Sequence, residues 1–311
     1  MAMGRNGVHH GIAVGLALAL AACHRPPDQT AAREVAELLR DGDVRAAAAA
    51  LDRARHQWPD SPALRQQQIL FLLKTEQIDA AGEMMRQLPD QAALLVTALR
   101  ARDPVIRGNA ARLIADQPTA VPSRVLVDGL TDSYAPVRHH CARELGRRAE
   151  PSSLRPLFRL LRDPDGAVRA AAVTGLARLK NPHAAGWMLF MLGDADALVR
   201  HQVEATLLAL VTESHRPLLR QKLPQLPVAS RLVVVAALAK LNDADALALL
   251  RGATADESAA IRARAAELIG RAPVLALVNE LDRLRNDPVP EVRTQADRSW
   301  EMIHTNPPRQ P

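Results

Sequence analysis

The chain has 311 residues, 48% hydrophobic and 24% charged, enough to bury the core of one large domain or two modest ones and unlike a disordered or collagen-like chain. Only seven residues are aromatic and β-branched runs are scarce, so the alanine- and leucine-rich composition reads as all-helical. Thirty-six of the 40 cations are arginine, and a pI near 10.1 ordinarily raises nucleic acid as a partner.

Residues 1–10 carry Arg5, two histidines and no acid, and an apolar stretch of ten follows at residues 11–20. Ten residues cannot span a bilayer as a helix, which needs about 20. A basic start, a short apolar middle and small residues before a cut describe a secretory signal peptide over residues 1–22. The four residues Leu20-Ala21-Ala22-Cys23 resemble the lipobox of bacterial lipoproteins. That resemblance implies cleavage before Cys23, thioether-linked diacylglycerol on its sulfur and acylation of the new amino terminus, more than one acyl chain being needed for lasting attachment. An ordinary cleaved signal peptide with an incidental cysteine is the other reading. In enterobacterial lipoproteins an Asp after the cysteine retains the protein at the inner membrane; His24 stands there instead, which favours the outer membrane. The expected location is the bacterial cell envelope, facing the periplasm.

Cleavage would leave 289 residues with 39 bases and 34 acids. Outside the cytoplasm such a surplus meets anionic lipid and envelope polymers, so nucleic acid drops out as a partner. Cys141 has no partner once Cys23 is lipidated, and folding must rest on packing without a disulfide.

After a linker at 23–30, residues 31–90 carry Gly42-Asp43, Ala47, Leu51, Ala54 and Pro59, with Ala81 and Met85 recurring 34 residues after Ala47 and Leu51. These spacings resemble the second half of a tetratricopeptide repeat, without its aromatic positions, and imply about two helical hairpins.

From residue 91 to 304 a different period takes over. Arginines at 107, 138, 169, 200, 231, 262 and 293 are separated by 31 residues every time. Apolar residues stand one before, three after and seven after nearly all of them, for example Val137, Cys141 and Leu145 around Arg138. Those offsets make one stripe of an α-helix. A second apolar column twelve residues before each arginine, Leu95 through Leu281, marks a preceding helix. Turn formers such as Asp163-Pro164-Asp165-Gly166 lie between, where Asp oxygens can accept from free backbone N–H groups and Pro suits a first helical turn. One hairpin cannot enclose its own apolar stripe, so seven hairpins must stack into an α-solenoid. Residues 305–311, with three prolines, are expected to be a tail.

The motif D-x-x-x-x-[VI]-R, present from Asp132 to Arg138, Asp163 to Arg169, Asp194 to Arg200, Asp256 to Arg262 and Asp287 to Arg293, resembles HEAT repeats, particularly the short type of phycobilisome lyases. In HEAT proteins this Asp and Arg form a ladder between adjacent repeats, which implies that these ten residues are structural. Repeat five departs from the pattern, with Gln225 in place of the Asp and Ser230 before Arg231, and repeat one has Asp103 two residues late.

Residues for common catalysis are not visible: there is no P-loop, dinucleotide fingerprint, G-x-S-x-G, H-E-x-x-H or C-x-x-C. Paired acids such as Asp163 and Asp165 fall in turns, where helix capping accounts for them. His139-His140-Cys141 is the best metal-like cluster, but adjacent helix positions diverge by about 100° and Cys141 sits in the buried stripe. Iron-binding HEAT-like enzymes use His-Glu pairs, and no His here precedes Glu. No metal, no cofactor beyond lipid on Cys23, and no small-molecule substrate is expected.

The second helix of each hairpin lines the inner face in HEAT solenoids, making Asn109, Arg112, His139, His140, Arg143, His201, Gln202 and Arg298 candidate partner contacts. The second helix of repeat five, Leu232 to Leu238, has no polar face and must be covered either by the fold or by a partner; Leu232 and Val233 are therefore candidates for a docking patch. The reading is a non-catalytic, lipid-anchored scaffold that binds another envelope protein. One alternative is a groove that grips a peptide, glycan or anionic polymer through Arg112, Arg143 and Arg298, and another is a HEAT-like lyase or metal-dependent enzyme.

Overall fold

A computed structural model describes residues 26–117, 119–179, 181 and 184–305. The expected signal peptide, Cys23 and residues 306–311 lie outside the described residues. The protein is all-α, an α-solenoid built from 18 α-helices with no strand among the described residues. No described helix is long and apolar enough to cross a membrane.

Contacts divide the described residues into two compact units, one up to Val125 and one from Leu126 onward. In the first, three antiparallel hairpins follow one another: α1 (Pro27–Asp41) with α2 (Val44–Gln57), α3 (Pro62–Lys74) with α4 (Ile78–Arg86), and α5 (Gln91–Leu99) with α6 (Pro104–Asp116). Helix α1 begins at Pro27, inside the segment expected to be linker: proline opens its first turn and Asp28 receives the Ser61 hydroxyl at 2.7 Å. The division falls one hairpin later than the change of rhythm near residue 90. The reason is visible in two bonds from α6 and its cap to α3: Asn109 Nδ2 donates to the Leu73 carbonyl at 2.8 Å, and Lys74 pairs with Asp103.

The remaining helices are α7 (Ser123–Gly129), α8 (Ala135–Arg148), α9 (Leu154–Arg159), α10 (Gly166–Arg178), α11 (Ala184–Met191), α12 (Ala197–Leu210), α13 (Arg216–Lys222), α14 (Val228–Lys240), α15 (Ala244–Ala253), α16 (Ala259–Arg271), α17 (Val278–Leu284) and α18 (Pro290–Thr305). Short first helices alternate with longer second helices, as the two apolar columns require. Asp165 caps α10 by accepting from Val168 N, and Asp196 and Asp243 cap α12 and α15 in the same way.

Burial follows the sequence columns. All seven residues three after each arginine, from Ala110 to Ala296, are fully buried, and so are nearly all those seven after. Two exceptions stand out: Trp300 is half-buried, and Ile261 is 40% exposed where the equivalent valines are covered. Small residues set the spacing between second helices. A Cβ added to Gly146 would overlap the Gly175 backbone, and one on Gly270 would lie 2.6 Å from Ser299 Cβ. Cys141 is completely buried, which pushes its thiol up to about 12, assisted by the nearby acids Asp132 and Glu144.

Candidate functional site

The regular spacing of arginine and aspartate takes physical form as rungs between successive hairpins. Arg138 donates from Nε and Nη2 to the two oxygens of Asp163, both at 2.7 Å, while its Nη1 donates to the carbonyls of Asp132 and Ser133 in its own turn. Arg169 holds Asp194 at 2.8 and 2.6 Å in the same fork, and Arg262 holds Asp287 at 2.7 and 2.9 Å. Each of these carboxylates also accepts from the backbone N–H two residues on. Burial alone would raise the pKa of Asp163 and Asp194, but the facing guanidinium outweighs it and holds both below the usual value. At Asp287 the hydrogen bond from Arg262 is the larger influence and lowers its pKa.

Within the second unit two rungs are missing, and both border repeat five. Arg200 donates through Nη1 to the Asp194 and Ala195 carbonyls, but the position 25 residues on is Gln225, which turns to Lys222 and the Gln221 carbonyl. Arg231 fails for a different reason. Its Nε and Nη2, the atoms that grip the next aspartate elsewhere, are taken by the Leu226 and Pro224 carbonyls at 3.0 and 3.2 Å. Asp256 is left to accept from Ser258 N in its own turn. A different pair ties these repeats: Arg220 on α13 reaches the buried Asp243 at 2.6 Å. That bond, opposed by burial, holds the Asp243 carboxyl below its ordinary pKa.

Beside the missing Arg231–Asp256 rung lies an apolar groove of about 710 Å³. Leu223, Val228, Leu232 and Val235 form one wall, Leu249 and Ile261 the other, and Arg231 and Arg264 supply its charge. Val228, Leu249 and Ile261 are all exposed. Ile261 occupies a column that is covered in the other repeats, Ser230 beside the other missing rung included, so its exposure is particular to this groove.

Leu232 lines this groove as a half-buried residue, but Val233 does not belong to any docking patch: it is completely buried, as are Ala236 and Ala237 beside it. The fold itself covers the helix that lacks a polar face. Glu204 on α12 reaches across to Arg264 at 2.7 Å and Arg271 at 3.1 Å on α16, and Glu267 pairs with both arginines at 2.6 and 3.0 Å. Helix α14 packs against both α12 and α16, the two helices that this cluster ties together. Burial opposes the charge on Arg264, yet Glu204 and Glu267 raise its pKa; Glu267, which burial would raise, is lowered by Arg264 and Arg271. Lys240 donates to the Leu208 carbonyl at 2.6 Å, and burial lowers its pKa.

The family model for HEAT repeats matches residues 123–208. That segment contains the two successive rungs Arg138–Asp163 and Arg169–Asp194, and it ends before the irregular repeat five. Among solved structures, the complex of CpcE and CpcF of phycocyanin lyase from Nostoc sp. PCC7120 is 21% identical, with 70% of this chain and 95% of that chain covered at a TM-score of 0.41. Escherichia coli YibA is 17% identical over 72% of this chain and 96% of its own, with a TM-score of 0.32. Human deoxyhypusine hydroxylase, solved in complex with glycerol, is 20% identical over 88% of this chain and 100% of its own, at 0.30. No curated protein matches the chain.

The other candidate contacts do not converge. Arg112, in the first unit, pairs with Asp116 at 3.5 Å, and Asn109 is spent on the Leu73 carbonyl. His139 and His140 meet edge to face at 4.9 Å, and His139 Nδ1 lies 3.1 Å from the Ala167 carbonyl of the next repeat. Gln202 bonds Thr206 at 3.3 Å, His201 and Arg298 are exposed, and Arg143 is half-buried. Among the described residues, no three His, Cys, Asp or Glu side chains stand close enough to hold a metal ion. Val228, Leu249, Ile261 and the Glu204 cluster were not singled out by the sequence. The signal that could have found the groove was present in the departures at Gln225 and Ser230, which mark repeat five as the place where the stack changes.

Proposed function

We propose that this chain is a non-catalytic helical-repeat scaffold that binds another protein through the groove between repeats five and six. The observation that carries the reading is the coincidence of an unmade rung with an apolar groove of about 710 Å³ whose walls expose Val228, Leu249 and Ile261. Exposed apolar surface of this kind marks an interaction site when it is contiguous and bordered by charge. Arg231 at its edge, bonded only to neutral carbonyls, suits a partner helix or loop bearing both apolar and acidic side chains. A lipid on Cys23 would confine the scaffold to a bacterial envelope membrane, facing the periplasm, and raise its effective concentration for a partner there.

A photo-activated cross-linker placed at Val228 in intact cells tests this. The expected result is one reproducible envelope protein, captured at Val228 and lost when Leu232→Asp is added to a chain whose helicity is unchanged. Absence of a cross-link, or a cross-link indifferent to Leu232→Asp, would overturn the docking site. The anchor is tested separately by Cys23→Ser, which should release the protein from the membrane fraction.

A further inference from the structure

A second apolar surface lies on the first helices of repeats three and four, away from the groove residues. Phe158 on α9 packs against Trp187 on α11, with ring centroids 4.7 Å apart, and Phe190 stands one turn further along α11. These are three of the seven aromatic residues of the chain. Two hollows share Trp187 and Phe190, one continuing to Phe158 and the other to Lys222. Phe158 is 43% exposed and Phe190, which borders both hollows, is 77% exposed and protrudes into solvent.

The charges around these rings have one sign. Arg159 and Arg162 border the first hollow and Lys222 the second, and no carboxylate is among the described residues that line either. Both arginines are exposed, and neither has a carboxylate partner among the described residues. Eleven other arginines of this unit, those of the rungs and the Glu204 cluster among them, are paired with carboxylates.

We infer that Phe158, Trp187 and Phe190 insert at the headgroup level of an anionic lipid bilayer while Arg159, Arg162 and Lys222 meet its phosphates. An indole such as that of Trp187 settles at the membrane–water interface because its ring is apolar and its N–H tolerates water, while the phenyl rings of Phe158 and Phe190 add apolar surface. Basic residues beside them are attracted by the negative surface of anionic lipid. A protruding ring needs a matching pocket in a protein partner but none in a fluid bilayer. This contact does not depend on Cys23 or on the groove. A lipid anchor would only hold the patch near the surface it fits.

The test uses the full chain carrying Trp58→Phe and Trp300→Phe, so that Trp187 is the sole reporter, with phosphatidylethanolamine–phosphatidylglycerol vesicles containing lipid brominated on its acyl chain. Trp187 emission should shift to the blue and be quenched. With each basic residue worth about fivefold in partitioning, vesicles of phosphatidylcholine should need on the order of a hundredfold more lipid for the same change. Arg159→Glu with Arg162→Glu should weaken the effect at least tenfold, an order-of-magnitude expectation from the same electrostatics. Depth-dependent quenching separates this patch from the anchor: a chain that sediments with vesicles while Trp187 emission stays unchanged overturns the inference, and so does a chain that never sediments. Quenching that is insensitive to the charge reversals, or a blue shift produced by an acidic protein and by no vesicle, would also overturn it. If the doubly substituted chain loses helicity, Trp187→Ala in the otherwise natural chain, with loss of the vesicle-induced emission change, gives the same readout.

Discussion

Replacing Asp163 with alanine isolates what one rung contributes. Asp163 accepts three hydrogen bonds, from Arg138 Nε and Nη2 at 2.7 Å and from Asp165 N at 2.9 Å, and both charged side chains are largely buried. Truncation leaves the Arg138 guanidinium facing a site from which water is mostly excluded, so the cost is that of an uncompensated charge, on the order of 3 kcal/mol. For a helical unit of this size about 2–4 °C of Tm accompanies each kcal/mol, so the melting temperature should fall by about 6–12 °C. Thermal and urea unfolding followed by circular dichroism at pH 7 measure it. Arg138→Ala should cost a similar amount, and the double variant distinctly less than the sum, with a coupling on the order of 1.5 kcal/mol or more. The pH dependence has a definite sign. Because the folded Asp163 pKa lies below its ordinary 3.8, the rung's stabilisation is fully present above that value and is lost as pH falls through the lower, folded one. The gap between the natural chain and Asp163→Ala should therefore be constant from pH 5 to pH 7 and shrink below about pH 4. A destabilisation under about 0.5 kcal/mol, or additive single effects, would refute the claim that the rung clamps adjacent hairpins.

Two further outcomes follow from packing. Gly270→Ala places a Cβ 2.6 Å from Ser299 Cβ and 2.8 Å from Ser299 Cα, so α16 and α18 must separate; the expected cost is about 2 kcal/mol, read from the urea midpoint, whereas a helical glycine without such a neighbour would gain from alanine. In a Cys23→Ser chain, Cys141 with its thiol near pKa 12 should ignore a thiol reagent at pH 8, only about one molecule in ten thousand being thiolate, and react fully in urea. Rapid reaction of the native chain would show that the stripe opens at Cys141.

Much of the architecture was legible because a solenoid repeats its physics. Every hairpin solves the same burial problem with neighbours of the same shape, so the columns at Cys141, Leu145 and Leu157 predicted burial residue by residue, and the resemblance to HEAT repeats implied a ladder that closes at Arg138 and Asp163 but not at Arg200 or Asp256. Periodicity also flagged repeat five through Gln225 and Ser230. It could not say what the departure did. Whether Val233 faced a partner or the interior depended on how its helix packs between the neighbouring second helices, which no period encodes. The exposure of Ile261, in a column covered elsewhere, and the meeting of Phe158 with Trp187 across a seam were likewise not written in any column.

From the sequence alone came the helical class, the stacking unit and the residues of the rungs, because these rest on local periodicity and on contacts at a fixed separation of 25 or 31 residues. Tertiary structure alone decided which rungs close, which apolar helix is covered and which surfaces remain open, because those outcomes turn on competition among donors for the same few acceptors. At repeat five two backbone carbonyls take the donors of Arg231, and the groove lies beside the rung that is not made.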